Sequence, residues 1–465
     1  MIKKVKHVHF MGIGGSALAG VAVLAKNQGF KVSGCDLVEK TAYSRILEKA
    51  NIKTLLGHDV IHLKDVDLLA VSPAVLTNSP DHPEVVEGKK RGILITWQAF
   101  LGEYLQKGKK VIGVCGTHGK STTTAMLGLI LEEAGLDPTV EVGALVGKWN
   151  SSIRQGDSDY FVCEADEFNH NFLNYQPGLI LINNIEMDHP EFFKDEKEFL
   201  QAFVKFIKNI KQPKGLIVNE ENLGVQDLLR TMSDWLKENK VKVIGCYLEK
   251  PFEFPFDLQY QAKVIKKTTT GIDFKVNEDC FTLKATGLAN VSNALGALAC
   301  AFELGVKPGD VNRALSDSIG LSRRFELIGE VRGVKIFDDY AVHPIAVAST
   351  LQAARQKYPN SKIWAVFEPH QFSRLKLFMD QFALVLAQAD KVIITKAYVG
   401  REKDQGTAKP QELAKKIGSK AVFLPEFEQI INYLREEAGK NELIIVFGAG
   451  NSYLLSKMIV EKLNS

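Results

Sequence analysis

The 465-residue chain has no C-x-x-C pair, and its six cysteines (Cys35, Cys115, Cys163, Cys246, Cys280 and Cys300) lie far apart. That spacing argues against a structural zinc site and against a thioredoxin-type centre. Free thiols in a reducing, cytoplasmic compartment are expected. No apolar run approaches the ~20 residues that span a bilayer, so no membrane partner is expected. The opening MIKKVKHVHFMGIGG has only a short apolar part, broken by His7 and His9, and runs into glycines. It reads as a first β-strand and not as a signal peptide. Charge of one sign is also missing. Lys and Arg number 58 against 55 Asp and Glu, a net +3, which gives no case for a nucleic-acid partner. No tandem repeat of fixed period occurs.

What is present is an ordinary globular composition, 45% hydrophobic and 24% charged. A length of 465 residues suggests two to four domains at roughly 100 to 200 residues each. Strand-like 5–11 meets a glycine turn, then a helical stretch over 16–28 and a second strand over 31–36. A further β-rich run at 67–72 ends in Ser72-Pro73. Strands alternating with helices predict a parallel sheet covered on both faces. Polarity rises at Lys107-Gly108-Lys109-Lys110, where a boundary is placed, and a new strand begins at 111–115. Strands are expected at 160–164 and 179–183, an amphipathic helix at 198–209, and antiparallel runs between 252 and 283. A third α/β unit follows Ser322-Arg323-Arg324-Phe325, with strands near 335–339, 363–367, 391–395 and 442–447. The expected fold is therefore α/β in three domains, 1–108, 109–321 and 322–465.

Four loops can carry chemistry. The strand 111–115 enters Gly116-Thr117-His118-Gly119, and Lys120-Ser121-Thr122 opens a helix. There, backbone N–H groups and a helix N-terminus face phosphates, Lys120 neutralises oxygens and Ser121 can ligate Mg2+. Val114 stands where the strict phosphate-loop pattern has its first glycine, so Gly116 supplies the turn. Gly12-x-Gly14-Gly15-Ser16 with Asp36 ending the next strand has the form of a diphosphate turn. By itself that turn fits a nicotinamide cofactor, another nucleotide or a plain strand-to-helix bend. Lastly, Glu164-Ala165-Asp166-Glu167 and Asn183-Asn184-Ile185-Glu186-Met187-Asp188-His189 place carboxylates and an imidazole at two strand ends, suited to Mg2+.

Read together with Arg323-Arg324-Phe325-Glu326, Asp338-Asp339-Tyr340, His343-Pro344, Glu368-Pro369-His370 and Ser373-Arg374, these segments resemble the Mur ligases over nearly the whole chain. The resemblance implies a Rossmann-like N-terminal domain holding a UDP-sugar, a central P-loop ATPase-like α/β domain holding ATP, and a Rossmann-like C-terminal domain bringing an amino acid. It implies a cytoplasmic ligase of peptidoglycan synthesis, monomer or homodimer, that activates the carboxylate of UDP-N-acetylmuramate with ATP as an acyl phosphate and joins it to L-alanine. The alternatives are a recycling ligase that adds a tripeptide and, on the Gly12 turn alone, a nicotinamide-dependent oxidoreductase.

By family position, Gly12, Gly14, Gly15, Ser16, Asp36, Ser72 and Pro73 meet the UDP-sugar. Gly116, Thr117, His118, Gly119, Lys120, Ser121 and Thr122 hold the triphosphate. Asn290 and Asn293 meet adenine, Arg324 the phosphates and Asp339 the ribose. Ser121, Glu164 and His189 hold Mg2+; Lys120, Glu164, His189 and Arg324 form the catalytic set. Tyr340, His370 and Arg374 receive the amino acid. The chain departs from the alanine-adding pattern at Ala289, at Ala341-Val342, and at Gln371, where an arginine is usual. A neutral amide at 371 predicts weaker amino-acid binding, which Gln371→Arg is expected to tighten.

Overall fold

The computed structural model describes residues 5–463 except 40, 42, 318, 401 and 403–408, and omits the side chains of Ser16 and Ala74. The chain packs as two compact units, one of 1–185, 200–261 and 293–315, the other of 186–199, 262–292 and 316–465.

The first unit begins with a five-stranded parallel sheet: β1 (His7–Met11), β2 (Lys31–Asp36), β3 (Thr54–Leu56), β4 (Leu68–Val71) and β5 (Leu94–Thr96), in the order β3-β2-β1-β4-β5. Every residue of β1 is buried, as a central parallel strand requires. A second sheet contains β6 (Lys110–Cys115), β7 (Thr139–Val146), β8 (Ser151–Arg154), β9 (Tyr160–Glu164), β10 (Leu179–Ile182), β11 (Gly215–Asn219) and β12 (Lys242–Tyr247). Its order is β12-β11-β10-β6-β9-β7-β8, parallel except for the β7–β8 edge hairpin. The helix Lys120–Glu133 behind β6 is buried almost throughout, from Ser121 to Leu131 apart from Thr122. The predicted amphipathic helix is Glu196–Lys208.

In the second unit, residues from Ala262 onward in β13 (Leu258–Lys267) pair antiparallel with β14 (Ile272–Val276), which pairs with β15 (Asp279–Leu283). The antiparallel runs expected between 252 and 283 are these. Helix Leu288–Glu303 follows, its residues from Asn293 onward belonging to the first unit. A six-stranded sheet of β16 (Glu326–Val331), β17 (Val334–Asp339), β18 (Ile363–Phe367), β19 (Lys391–Ile394), β20 (Ala421–Phe423) and β21 (Leu443–Phe447) has the order β16-β17-β21-β18-β19-β20. Only its β16–β17 edge is antiparallel. Apolar clusters cover both its faces, one around Phe337, Phe367 and Phe382, the other around Ile336, Trp364 and Val446. All six cysteines are unpaired thiols. No helix among the described residues is long and apolar enough to cross a membrane.

Candidate active site

In an open parallel sheet, loops at the carboxyl ends of the central strands form the natural crevice. β6 lies between β9 and β10, so its glycine loop shares that edge with Glu164 to Glu167 and with Asn183 and Asn184. Gly116 (φ +129°) and Gly119 (φ +79°) both adopt left-handed backbone. A Cβ at Gly116 would stand 2.9 Å from the Asn184 carbonyl oxygen, and one at Gly119 would collide with the side chains of Asn183 and Asn293. Only glycine fits either place. The asparagines brace the loop: Asn184 accepts the amide N–H of His118 on Oδ1 at 2.7 Å, and its backbone oxygen accepts that of Thr117 at 3.1 Å. The Nδ2 groups of Asn183 and Asn184 each donate to the His118 carbonyl at 3.2 Å. Helix Lys120–Glu133 has no side-chain cap and no acid in its first turn, which leaves its positive end suited to an anion.

Lys120 Nζ donates to both oxygens of Glu167, at 3.0 and 2.8 Å, and lies 3.7 Å from Asp166. Burial disfavours its charge, but Glu167, Asp166 and Glu164 outweigh that and raise its pKa. Ser121 is buried at 2% exposure, and Thr122 is half-buried. Glu164 accepts the Gly143 amide N–H at 2.8 Å. Its neighbour Glu141 is pushed well above the carboxylate range by burial and by Glu164. Asn293 borders Gly119, while Asn290 donates to the Thr286 carbonyl at 2.8 Å.

At the first sheet, the Gly12 turn, Asp36 and Ser72-Pro73 stand at the carboxyl ends of the adjacent strands β1, β2 and β4. Gly12 has φ +83°. Gly14 donates its N–H to Asp36 Oδ2 at 2.8 Å, and a Cβ on it would meet that oxygen at 2.9 Å. Asp36 therefore braces the glycine turn from within the chain. Gly15 precedes an uncapped helix, Ser16–Asn27, with no acid in its first turn. The side chain of Ser16 lies outside the described residues.

In the second unit, β17 ends at Asp339 and β18 leads into Glu368 and His370. Asp339 accepts the N–H groups of Phe325 (2.7 Å) and Ala341 (2.9 Å) and the hydroxyl of Thr350 (3.2 Å). Burial raises its pKa against the pull of Arg324. Arg323 and Phe325 both have positive φ, +57° and +49°, so strained backbone flanks Arg324, whose guanidinium lies over the Tyr340 ring at 5.3 Å. Arg374 is 2% exposed and hydrogen-bonds Asp188 and, through Nη1, His370 Nδ1 at 2.9 Å. An arginine only donates, so His370 Nδ1 accepts and its proton sits on Nε2. His189 lies 3.1 Å through Nδ1 from Glu191. With its amide nitrogen toward Glu191, Gln371 donates to both carboxylate oxygens at 3.2 and 3.3 Å.

Sequence reasoning did not anticipate the roles of Glu167, Asn183, Asn184, Asp188 and Glu191. Their partners are brought close only by the parallel sheets and the loops that leave them.

The Mur ligase family catalytic-domain model matches residues 7–109, the Mur ligase middle-domain model residues 114–301, and the Mur ligase glutamate ligase-domain model residues 323–450. A UDP-N-acetylmuramate–L-alanine ligase of Acetivibrio thermocellus is 37% identical, across 98% of this chain and 96% of the relative. That of Caldicellulosiruptor bescii is 36% identical across 97% and 98%. The crystal structure of UDP-N-acetylmuramate–alanine ligase from Thermotoga maritima matches with a TM-score of 0.79 at 25% identity, covering 98% of this chain and 99% of that one. A murein peptide ligase of Psychrobacter arcticus matches with a TM-score of 0.72, also at 25% identity, over 99% of each chain. The chain belongs to the Mur ligase family.

Proposed function

We propose that this chain is an ATP-dependent amide-forming ligase that joins L-alanine to the carboxylate of UDP-N-acetylmuramate, through an acyl phosphate, in peptidoglycan synthesis. The observation that carries the reading is the braced loop Gly116–Ser121, an uncapped helix end with one half-buried lysine among carboxylates. A carboxylate substrate and a triphosphate repel each other, and a fixed cation at a helix N-terminus offsets that repulsion. The full-length likeness to L-alanine-adding relatives favours L-alanine over a tripeptide. A nicotinamide-dependent oxidoreductase would leave this loop and the C-terminal sheet without a use.

The residue roles proposed are those that the family resemblance implies. Gly116 to Thr122 cradle the phosphates, with Lys120 turning from Glu167 toward them. Asn290 and Asn293 meet adenine, Arg324 the phosphate chain and Asp339 the ribose. Gly12, Gly14, Gly15, Ser16, Ser72 and Pro73 hold the UDP-sugar, with Asp36 bracing the turn. The Ser121 hydroxyl and Glu164 carboxylate are hard oxygen donors that fit Mg2+, and His189 would serve a further ion. Bound there, Mg2+ would neutralise phosphate charge. Tyr340, His370 and Arg374 form the amino-acid pocket, with His370 Nε2–H pointing its proton at the incoming carboxylate. The domains run 1–108, 109–321 and 322–465, and the enzyme works in the cytoplasm as a monomer or homodimer. The test is phosphate release from ATP with UDP-N-acetylmuramate and individual amino acids or the tripeptide. Release that depends on the nucleotide sugar and is fastest with L-alanine is expected. Preference for the tripeptide over every free amino acid would overturn the assignment.

A further inference from the structure

Strand residues two apart share a face, so His7 and His9 of β1 lie on the same side as Ser33 and Cys35 of β2, with His9 opposite Ser33 in the register. Under that face run the short 3-10 turn Val60–Leu63, bearing His62, and the helix Pro83–Lys90, bearing Glu84. His9, Cys35 and Glu84 are wholly buried, at 0% exposure. His9 Nε2 stands 3.3 Å from Cys35 Sγ and 3.2 Å from Glu84 Oε1. Cys35 Sγ is 3.6 Å from Glu84 Oε2, and His62 Nδ1 is 3.8 Å from that same oxygen. One donor atom from each of the four residues lies within 4.8 Å of every other. Arms of about 2.0 to 2.3 Å around a tetrahedral ion put its ligands roughly 3.3 to 3.8 Å apart, close to the spacings seen.

The protons point the same way. The Asp65 carbonyl can only accept, so His7 Nδ1 donates to it at 2.9 Å. With neutral rings, His7 Nε2 then accepts from the Ser33 hydroxyl at 2.8 Å, and Ser33 Oγ in turn accepts from His9 Nδ1 at 2.8 Å. This relay strips His9 Nε2 of its proton and turns a bare lone pair toward the Glu84 carboxylate. A lone pair facing a buried carboxylate oxygen is relieved by a positive charge between them, either a metal ion or a proton. His62 Nδ1 is also buried and has no hydrogen-bond partner among the described residues. The second ring nitrogen of a metal-bound histidine is usually held by such a relay.

We propose that His9, Cys35, His62 and Glu84 bind one zinc ion inside the N-terminal sheet, a site separate from the ATP and amino-acid pockets. One thiolate and one carboxylate balance the two positive charges of the ion, and a sulfur–imidazole–carboxylate set suits zinc over magnesium. His58 Nδ1, 3.0 Å from Cys35 Sγ, supplies a hydrogen bond to the thiolate. The scattered cysteines, read along the sequence, argue against structural zinc. The fold supplies the missing ligands from four separate elements. Because Asp36 follows Cys35 and holds the Gly14 turn, the ion would fix the base of the sugar-nucleotide loop.

The test uses the full chain stripped with chelator and titrated with cobalt(II), then zinc(II). One tight equivalent is expected, giving the near-ultraviolet thiolate-to-cobalt band and the intense visible bands of a tetrahedral ion, both abolished by zinc. Cys35→Ser should lose the thiolate band. Ser33→Ala should keep it while weakening affinity about 10- to 100-fold. Should Cys35→Ser not fold, His62→Ala, on the short turn, carries the test and should weaken affinity at least about tenfold. A chain that takes up no cobalt with a thiolate band would overturn the site and leave an ion pair of His9 and Glu84. Retention of the band in a folded Cys35→Ser would do the same.

Discussion

Arg374 closes its guanidinium on a single carboxylate oxygen of Asp188, with Nε at 2.9 Å and Nη2 at 2.7 Å. Both groups are buried, at 2% and 7% exposure. Burial alone would raise the pKa of Asp188, yet Arg374, His189 and His343 hold it well below the usual carboxylate range. The residue expected to receive an amino-acid carboxylate thus already carries one from its own chain. An incoming carboxylate must share the guanidinium or meet His370, whose ring Arg374 orients.

Arg374→Ala is therefore predicted to act twice. It strands a buried Asp188, and breaking such a pair costs about 3 to 5 kcal/mol. It also frees His370 Nδ1 from its donor and raises the KM for L-alanine. Arg374→Lys keeps the charge without the fork and should recover part of the stability but little of the KM. Urea unfolding and initial rates on the same preparations check this. An Arg374→Ala protein of wild-type stability would remove the pair from the account.

Lys120→Ala should abolish turnover, since a cation at developing phosphate charge contributes on the order of 3 kcal/mol or more in the transition state. The structure adds a complication: the substitution removes the Lys120 ion pair from a wholly buried Glu167. Some lost activity could then reflect lost fold. Lys120→Ala with Glu167→Gln separates the two, and is expected to recover unfolding stability while staying inactive. A double variant with more than about a tenth of wild-type turnover, a deficit under ~1.4 kcal/mol, would refute the role of Lys120.

The two phosphate-type loops were legible because a glycine turn between an apolar strand and a helix start is a local pattern, complete within about ten residues. Strand β18 has the predicted bounds, and β6 and β10 shift by a residue at one end, because continuous apolar runs mark buried parallel strands; β2 also has its predicted bounds, though it is neither a continuous apolar run nor fully buried. The three-residue strands β3, β5 and β20 were not anticipated, since so short a run has no period to read. Nor were the partners of the loops. Asn184 reaches His118 across 66 positions and Arg374 reaches Asp188 across 186, distances that only the sheet order and chain path remove. At Gly14 one group that a Cβ would meet is Asp36, at 2.9 Å, a neighbour that the glycine pattern alone does not name.

The structure also redirects the expectation for Gln371→Arg. Gln371 is 1% exposed and its amide is held on Glu191. An arginine there would meet that carboxylate first, in competition with His189, before it reached any substrate. The single variant should therefore change the KM for L-alanine by less than about threefold. Removing the competitor in Gln371→Arg with Glu191→Gln should lower it about tenfold, the worth of a charge-assisted hydrogen bond of roughly 1.5 kcal/mol. Initial-rate curves for the three proteins decide. A tenfold gain from the single variant would mean that Glu191 does not hold position 371.

Glu368 gives a pH dependence of defined sign. It is 5% exposed and accepts the N–H groups of Gly450 and Ser452 at 3.1 and 3.2 Å, at the start of helix Ser452–Lys462. Burial raises its pKa to about 7 from 4.5, outweighing those hydrogen bonds and the charge of Arg323. Between these two values the folded chain holds a proton on Glu368 that the unfolded chain has released. Stability contributed by this group is thus complete below about pH 4.5, falls as pH rises, and levels off above about pH 7. The full shift corresponds to at most about 3 kcal/mol, at 1.36 kcal/mol per pKa unit. Glu368→Gln keeps an oxygen for both N–H groups but cannot ionise. Urea midpoints at about pH 5 and about pH 8 should fall less for the variant than for the wild type. Equal falls in the two proteins would show that Glu368 is already ionised in the fold at pH 5.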